Sequence, residues 1–320
     1  MSISFSVKNK RKILGYEEVL TVEKALSLSN KKLSVFAIPD MDINELLVSP
    51  LSNYECLLVG VENESARGFE LSYDKKNKDY VVRIFTPSSR EDWLLALDYV
   101  KALAKRFKSE IENDRGEIYS IKELDKFNYE SDILYGISSI SAKINDREGA
   151  QYIILGINRL VVFNKKMFDK IYSSGNTIDA FSSTVREIQY LDAHSAHQNF
   201  FKNNNDGKIM GNYTLIEGVR TILPYIPNVE FENSNIVKNE DISFWNINLL
   251  FIEFNKDDGK NYYCSAGNLD YDKFIKKIPS DKYKFIDAAY IMFEPLTKEE
   301  IFKLLDGEWR CLLIFLWNLE

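Results

Sequence analysis

The chain has 320 residues, of which 45% are hydrophobic, 13% aromatic and 28% charged, and its formal net charge is -7. This composition fits a globular protein with a substantial core, and the length suits two domains. Because an acidic chain has no global positive field, the composition predicts neither a nucleic-acid partner nor a membrane partner.

The cysteines and the amino terminus indicate a cytoplasmic protein. Cys56, Cys264 and Cys311 are odd in number and far apart, which fits neither a disulfide framework nor a zinc site. The amino terminus alternates apolar and polar residues before it becomes basic, whereas a secretory signal begins basic and continues with an apolar run. We therefore expect residues 2–7 to form a strand.

The first half of the chain predicts a mostly antiparallel sheet with helices. A helix is expected in "TVEKALSL", and strands are expected in "LSVFAIP", "YECLLVGVE", "RGFELSY" and "DYVVRIF", with a hairpin turn at "DKKNKD". From Arg90 to Phe107 the apolar residues recur at steps of three and four, which predicts one buried helical face. The charge-rich "KSEIENDRGE" that follows is the expected domain junction, and "NDREGA" at residues 145–150 is the alternative.

The second half predicts a further α+β arrangement. Strands are expected in "YIILGI" and "RLVVFN", and helices near "KMFDKIY" and over residues 178–191. The pair Asp258-Gly259 predicts a hairpin between two β-type runs, and short helices in "DYDKFIKKI" and "TKEEIFKLL" flank a strand in "KFIDAAYIMFE". The predicted fold is α+β with two domains, residues 1–112 and 113–320, each a mainly antiparallel or mixed sheet with helices packed on it.

The stretch "TPSSREDW", between a strand and the helix that starts at Arg90, could hold a nucleophile, a phosphate or a helix cap. The G-x-S-x-G elbow of serine hydrolases is absent, and the stretch has no glycine that would let backbone amides approach a phosphate. Ser88 with Glu91 and Ser89 with Asp92 both fit the S-x-x-[DE] pattern of a capping box. We predict that one of the two serines caps the helix. Arg90 has no role in that interpretation.

Three stretches, "RGFELSY", "YVVRIFTPSSREDW" and "GEIY", together resemble an uncharacterised bacterial protein family, a domain of unknown function of about this length. The resemblance runs over most of the chain and is most specific in its first half. It implies a bacterial, cytosolic protein of two parts. It implies no particular activity, cofactor or catalytic residue.

Both histidines, His194 and His197, lie in "DAHSAHQ" with Asp192 nearby, and such groups are common metal ligands. On a continued helix Asp192 would lie away from both histidines, and on a strand the two histidines would point to opposite faces. We therefore expect no metal site and interpret both as solvated side chains at a helix end. No cofactor is expected either, because the nucleotide-loop and zincin motifs are absent.

The amino-terminal basic cluster of Lys8, Lys10, Arg11 and Lys12 could contact a phosphate backbone. In a chain of net charge -7, a solvated turn after the first strand is the favoured interpretation.

The carboxyl-terminal stretch "EWRCLLIFLWNLE" has Trp309, Trp317 and a nearly unbroken apolar run at residues 311–319. The run is less than half of the ~20 residues that a helix needs to cross a bilayer. An exposed run of this kind would promote aggregation, so we expect it to dock on the chain itself or, alternatively, on a partner.

Because no catalytic signature is present, we expect a non-catalytic cytoplasmic protein that binds another protein or itself, in an immunity, adaptor or regulatory role. The candidate binding residues are Arg67, Arg90, Trp309 and Trp317. The alternative is a hydrolase or transferase whose carboxylates and tyrosines come from distant parts of the chain.

Overall fold

The computed structural model of the protein describes residues 2–36, 42–256 and 258–305. The chain forms two compact units, Met1–Leu191 and Asp192–Glu320, each with its own hydrophobic cluster. Both units combine sheets with helices, so the expected α+β class is confirmed. The two units meet after Leu191, whereas the sequence predicts a boundary after residue 112. Residue 112 lies within strand Ile111–Asn113, which pairs with a neighbouring strand on each side and therefore belongs to the first unit.

The main sheet of the first unit has seven strands, and every neighbouring pair is antiparallel. The strands are β1 (Ser2–Lys8), β2 (Ser34–Phe36), β3 (Leu57–Gly60), β4 (Phe69–Asp74), β5 (Asp79–Phe85), β6 (Ile111–Asn113) and β7 (Ile118–Tyr119). Their order in the sheet is β2-β3-β4-β5-β1-β6-β7. The first strand thus lies near the middle of the sheet, and its alternate residues Ile3, Phe5 and Val7 are buried, as the period-two pattern predicts.

Seven helices and a two-stranded sheet complete the first unit among the described residues. The helices are α1 (Val22–Leu26), α2 (Ile43–Val48), α3 (Arg90–Phe107), α4 (Ile121–Leu124), α5 (Tyr129–Asn145), α6 (Lys165–Ser173) and α7 (Thr177–Gln189). The small sheet pairs β8 (Tyr152–Leu155) with β9 (Leu160–Phe163). The helix α5 was not predicted from the sequence.

The central helix α3 begins where the sequence predicts. Ser89 is its N-cap, and the Ser89 Oγ accepts a hydrogen bond of 3.1 Å from the Asp92 backbone N–H. The buried residues of α3 include the predicted apolar positions, and the helix packs on β1 and β5. It ends at Phe107, and the next residue, Lys108, caps the helix with a left-handed φ of 53°.

We expect Ser89→Ala to lower the free energy of unfolding by about 1 to 2 kcal/mol, because it removes a buried cap and a hydrogen bond to Asp92. Ser88→Ala should cost less, since the Ser88 Oγ lies 3.4 Å from the Asp92 carboxylate and makes no cap. Urea denaturation measures both. Ser138→Ala, on the exposed side of α5, is the control and should change stability by less than about 0.5 kcal/mol. Equal losses for Ser88 and Ser89 would contradict the assignment of the cap.

The described residues of the second unit form two four-stranded sheets. One has the order β10 (His194–Ser195), β13 (Thr221–Pro224), β17 (Tyr290–Phe293) and β16 (Tyr283–Phe285). The other has the order β11 (His197–Lys202), β12 (Ile209–Ile216), β14 (Ile242–Asn255) and β15 (Lys260–Asp270). Both sheets are mixed, because β10 is parallel to β13 and β12 is parallel to β14. The antiparallel pair of β14 and β15 confirms the hairpin that Asp258-Gly259 predicts.

Helices α8 (Tyr271–Lys277) and α9 (Lys298–Leu304) pack against the hairpin of β14 and β15. Their buried residues Phe274, Ile301 and Leu304 form a core with the inward residues of the strands, among them Leu249 and Phe251. No helix in the described ranges has both the length and the apolar composition that a membrane crossing requires. Trp309, Trp317 and the apolar run at residues 311–319 lie outside the described residues.

Candidate functional site

The predicted candidate Arg67 is buried in the first unit, 6% exposed. Its Nε donates a hydrogen bond of 2.6 Å to the Leu155 carbonyl, its Nη1 donates to the Pro87 carbonyl, and its guanidinium lies 4.6 Å from the centre of the Phe85 ring. Burial lowers the pKa of Arg67 to about 10. The side chain therefore joins three segments of the unit and does not face solvent.

The carboxylate of Asp92 is fully buried beside Arg67 and collects donors from two loops. Its Oδ2 accepts from the backbone N–H groups of Arg67 at 2.8 Å and Ala66 at 3.2 Å, and from the Ser89 hydroxyl at 2.8 Å. Ser88 and Ser89 are 0% and 1% exposed. Both hydroxyls are directed at Asp92, so the stretch "TPSSREDW" forms a structural cluster, which we call the Asp92 cluster.

Arg90, the second arginine candidate, lies at the surface of the same unit and joins three helices. Its side chain pairs with Glu130 of α5 and, at 3.1 Å, with Asp179 of α7. Its backbone N–H donates to the Ser182 hydroxyl at 3.0 Å. Helix capping does not explain Arg90. These contacts do, because they hold α3 against α5 and α7.

The histidines do not lie at a helix end, and this part of the prediction is wrong. Helix α7 ends at Gln189, and His194 and His197 fall in β10 and β11, which belong to different sheets. Both are exposed, and Asp192 lies 3.8 Å from Arg220. Across the described ranges, no three His, Cys, Asp or Glu side chains converge in a way that could hold a metal ion.

The two arginine candidates should differ in their effect on stability. Arg67→Met removes the donor to the buried Pro87 carbonyl and to the partly buried Leu155 carbonyl, and it removes the positive charge near Asp92, so we expect a loss of about 3 kcal/mol. Arg90→Met removes only surface ion pairs and should cost about 1 kcal/mol or less. Denaturant titration of both variants measures the difference. The structural role of Arg67 would be ruled out if Arg67→Met lowered the free energy of unfolding by no more than Arg90→Met does.

A polar cluster in the second unit was not predicted from the sequence. Gln198, 7% exposed, donates from Nε2 to the Tyr213 hydroxyl at 2.6 Å and to the Asn228 carbonyl at 2.8 Å. Its Oε1 accepts from the backbone N–H of Glu230 at 3.1 Å and from Asn233 Nδ2 at 3.0 Å. Gln198 thus fixes the loop that presents Glu230, and we call this group the Glu230 cluster.

The carboxyl of Glu230 has an altered acidity. Partial burial and the nearby charge of Glu232 raise the pKa of Glu230 to about 7. Burial and the proximity of Glu230 also raise the pKa values of Tyr213, Tyr271 and Tyr290. Within the described part of the chain no group donates a hydrogen bond to this carboxylate. A carboxyl with a pKa near 7 can exchange a proton at neutral pH, as a general acid or base does.

Glu230 should make stability depend on pH. Its pKa is higher in the folded chain than in the unfolded chain, so the folded state binds more protons between pH 4.5 and about 7. The stability that the protonated Glu230 contributes is present below pH 4.5 and is lost as the pH rises through about 7. We expect Glu230→Gln to remove this decline, so that the variant is more stable than the wild type at pH 8 and similar at pH 4.5. Denaturation at a series of pH values is the test, with Glu240→Gln, at an exposed position, as control. Parallel pH profiles for wild type and Glu230→Gln would contradict the raised pKa.

The sheet of β11, β12, β14 and β15 has a second face, opposite α8 and α9, which we call the outer face. Strand alternation and the pairing register define it. Its side chains are those of His197, Asn199, Phe201, Met210, Asn212, Thr214, Ile216, Phe244, Asn246, Asn248, Leu250, Ile252, Phe254, Asn261, Tyr263, Ser265, Asn268 and Asp270. Apart from Asp270, which caps α8, none is Asp, Glu, Lys or Arg, although 28% of the chain is charged.

Aromatic residues lie at both ends of the outer face. Phe201, Met210 and Phe244 are cross-strand neighbours at one end, and Phe254 and Tyr263 are diagonal neighbours at the other. Phe254 is 61% exposed and Tyr263 is 53% exposed. Large apolar side chains that remain exposed on a sheet commonly mark a binding surface.

A row of three asparagines crosses the outer face between these ends. Asn199 pairs with Asn212, and Asn212 pairs with Asn246 on the next strand. Asn212 is only 5% exposed, and neither its side chain nor that of Asn199 hydrogen-bonds to any described residue. Asn246 Nδ2 donates only to the Met210 sulfur, at 3.2 Å. The row therefore has unused hydrogen-bonding groups.

The fold and these sites define an α+β protein of two units, with two buried polar clusters and one sheet face that has a single charged residue, Asp270. The chain belongs to the family described as a domain of unknown function (DUF4299), whose sequence profile matches residues 2–304. The expected family resemblance is thus confirmed. Comparison with curated proteins found no match, and comparison with solved structures found none either.

Proposed function

We propose that the chain is a non-catalytic protein-binding protein and that its outer face is the binding surface. The observation that carries the proposal is the composition of this face. Charged residues are depleted and aromatic residues and methionine are enriched in the centres of protein interfaces, and the outer face has both properties. A partner buries such a face without removing ionised side chains from water.

The asparagine row supports the same proposal. The amides of Asn199, Asn212 and Asn246 can still accept and donate hydrogen bonds, since the described residues use only Asn246 Nδ2. A partner that supplies matching donors and acceptors forms hydrogen bonds with them, while the aromatic ends supply apolar contact. The row gives specificity, because only a partner with matching polar groups satisfies all three amides.

The proposed role is that of a cytoplasmic bacterial immunity, adaptor or regulatory protein. The partner is another protein or a second copy of the chain. An immunity protein would be encoded next to the toxin that it neutralises, so the products of neighbouring genes are the first partners to examine.

We expect Phe244→Lys with Phe254→Lys to weaken partner binding at least about 100-fold, because it places a charge at each aromatic end of the face. Affinity capture identifies the partner, and calorimetry with the purified partner measures the affinity. Sedimentation of the chain alone measures self-association. Ile226→Lys with Phe231→Lys is the matched control, since both residues are exposed in the same unit and lie outside the outer face.

The control variant should bind as the wild type does. If a partner binds the outer-face variant and the wild type equally well, the face is not its binding surface. If no partner is captured and the wild type is monomeric, the protein-binding proposal fails.

The Glu230 cluster favours a second candidate function, a hydrolase or transferase. Its carboxyl, with a pKa of about 7 beside Tyr213 and Tyr290, is the type of group that general acid–base catalysis uses. An activity in a panel of hydrolase and transferase substrates that is lost in Glu230→Gln and retained in Glu240→Gln would establish this candidate.

A further inference from the structure

The turn after β1 exposes two large aliphatic side chains. Ile13 and Leu14 have relative exposures of 103% and 93%, the two highest among the large exposed hydrophobic residues of the described chain. The turn is well defined, because the Lys12 N–H donates to the Gly15 carbonyl at 2.9 Å and Arg11 forms a bridge with Tyr16. Gly15 adopts a φ of 86°, which favours glycine. Ile13 and Leu14 therefore form an ordered apolar tip.

A second turn, between β4 and β5, lies beside this tip. The Asn9 N–H donates to the Lys78 carbonyl at 2.8 Å, and Lys8 pairs with Asp79 across β1 and β5. These two neighbouring turns and the end of β1 carry seven cationic residues, Lys8, Lys10, Arg11, Lys12, Lys75, Lys76 and Lys78. The same stretches have four acidic residues, fewer than the seven cationic ones: Glu17, Glu18, Asp74 and Asp79. The apolar tip thus lies in a basic region.

Most of these cations are free to contact an external anion. Lys8 pairs with Asp79 at 2.9 Å and Lys10 pairs with Glu17 at 3.2 Å. The other five, among them Arg11 and Lys12 next to the tip, form no ion pair with the described residues. The excess positive charge is local and is opposite in sign to the net charge of the chain.

We propose that this tip is a peripheral membrane-binding site, in which Ile13 and Leu14 insert into the interface of an anionic lipid bilayer while the surrounding lysines and Arg11 contact lipid headgroups. A convex tip with fully exposed aliphatic side chains suits a soft, penetrable surface, whereas a protein partner would need a pocket of matching shape. Basic residues next to an inserted apolar group add electrostatic attraction to anionic lipids.

The expectation that the chain has no membrane partner rested on its net charge. Screening limits electrostatic interactions to about 10 Å at moderate ionic strength, so a bilayer in contact with the tip interacts mainly with the local basic residues. The site goes beyond the proposed protein-binding function and uses a different surface.

The test is sedimentation of the full chain with vesicles of phosphatidylcholine, with and without phosphatidylglycerol. We expect binding to the vesicles that contain phosphatidylglycerol, weakened by salt. Ile13→Ser with Leu14→Ser should weaken binding about 100-fold, because two aliphatic side chains no longer leave water. Arg11→Glu with Lys12→Glu should weaken it about tenfold or more.

Two controls separate this site from general effects. Lys166→Glu with Lys170→Glu changes the net charge by the same amount at exposed positions of α6, and Ile226→Ser removes an exposed aliphatic side chain elsewhere. Both should bind vesicles as the wild type does. Thermal unfolding confirms that each variant is folded.

Three results would overturn the proposal. The first is a wild type that binds neither kind of vesicle. The second is vesicle binding that the tip variants leave unchanged. The third is binding to polyglutamate, lost in Arg11→Glu with Lys12→Glu, without any binding to vesicles, which would assign the tip to an acidic protein partner.

Discussion

The first unit depends on the burial of one carboxylate. A carboxylate without water is tolerated only where several donors and an opposite charge surround it, and Asp92 has backbone donors from Ala66 and Arg67 and a hydroxyl from Ser89. Arg67 is itself buried and reaches the carbonyls of Pro87 and Leu155. Asp92 therefore joins the start of α3 to the loop before β4, and the Arg67 side chain joins that loop to strand β8. Two of the three stretches that resemble the family, "RGFELSY" and "YVVRIFTPSSREDW", meet there.

The elements that the sequence predicts well are those whose signals are local. The cap at Ser89, the apolar face of α3 and the hairpin at Asp258-Gly259 are all encoded within a few residues. Helix α5 has a comparable face, with Ile133, Ile137, Ile140 and Ile144 buried, but serines and Gly136 interrupt the pattern. Gly136 is needed for packing, because a Cβ there would lie 2.5 Å from the Pro87 nitrogen. The contact with Pro87, which is distant in sequence, therefore requires glycine at position 136. From the local sequence alone, this glycine is read as a helix breaker.

The domain boundary and the Glu230 cluster could not be predicted because both depend on long-range pairing. The stretch from residue 108 to 117 is rich in charge, yet its Ile111 is buried and pairs with Val7 of β1. Gln198, Tyr213 and Glu230 come from a strand, a second strand and a loop, and nothing in their spacing shows that they meet. The outer face is an intermediate case. The uncharged alternate positions of β14 are visible in the sequence, but only the packing of α8 and α9 shows which side of the sheet they occupy.

The net charge of -7 is a sum over the whole chain, and it does not give the charge of any single surface. A typical interface covers about a tenth of a small protein's surface, and screening confines each charge to its neighbourhood. The outer face of the second unit has almost no ionised side chains, and the tip of the first unit has an excess of cations, while the whole chain carries -7. A net charge away from zero generally favours solubility, and a negative one opposes nonspecific binding to polyanions. Net charge can therefore exclude a partner that binds by nonspecific attraction. Binding by a specific surface has to be judged from the residues of that surface.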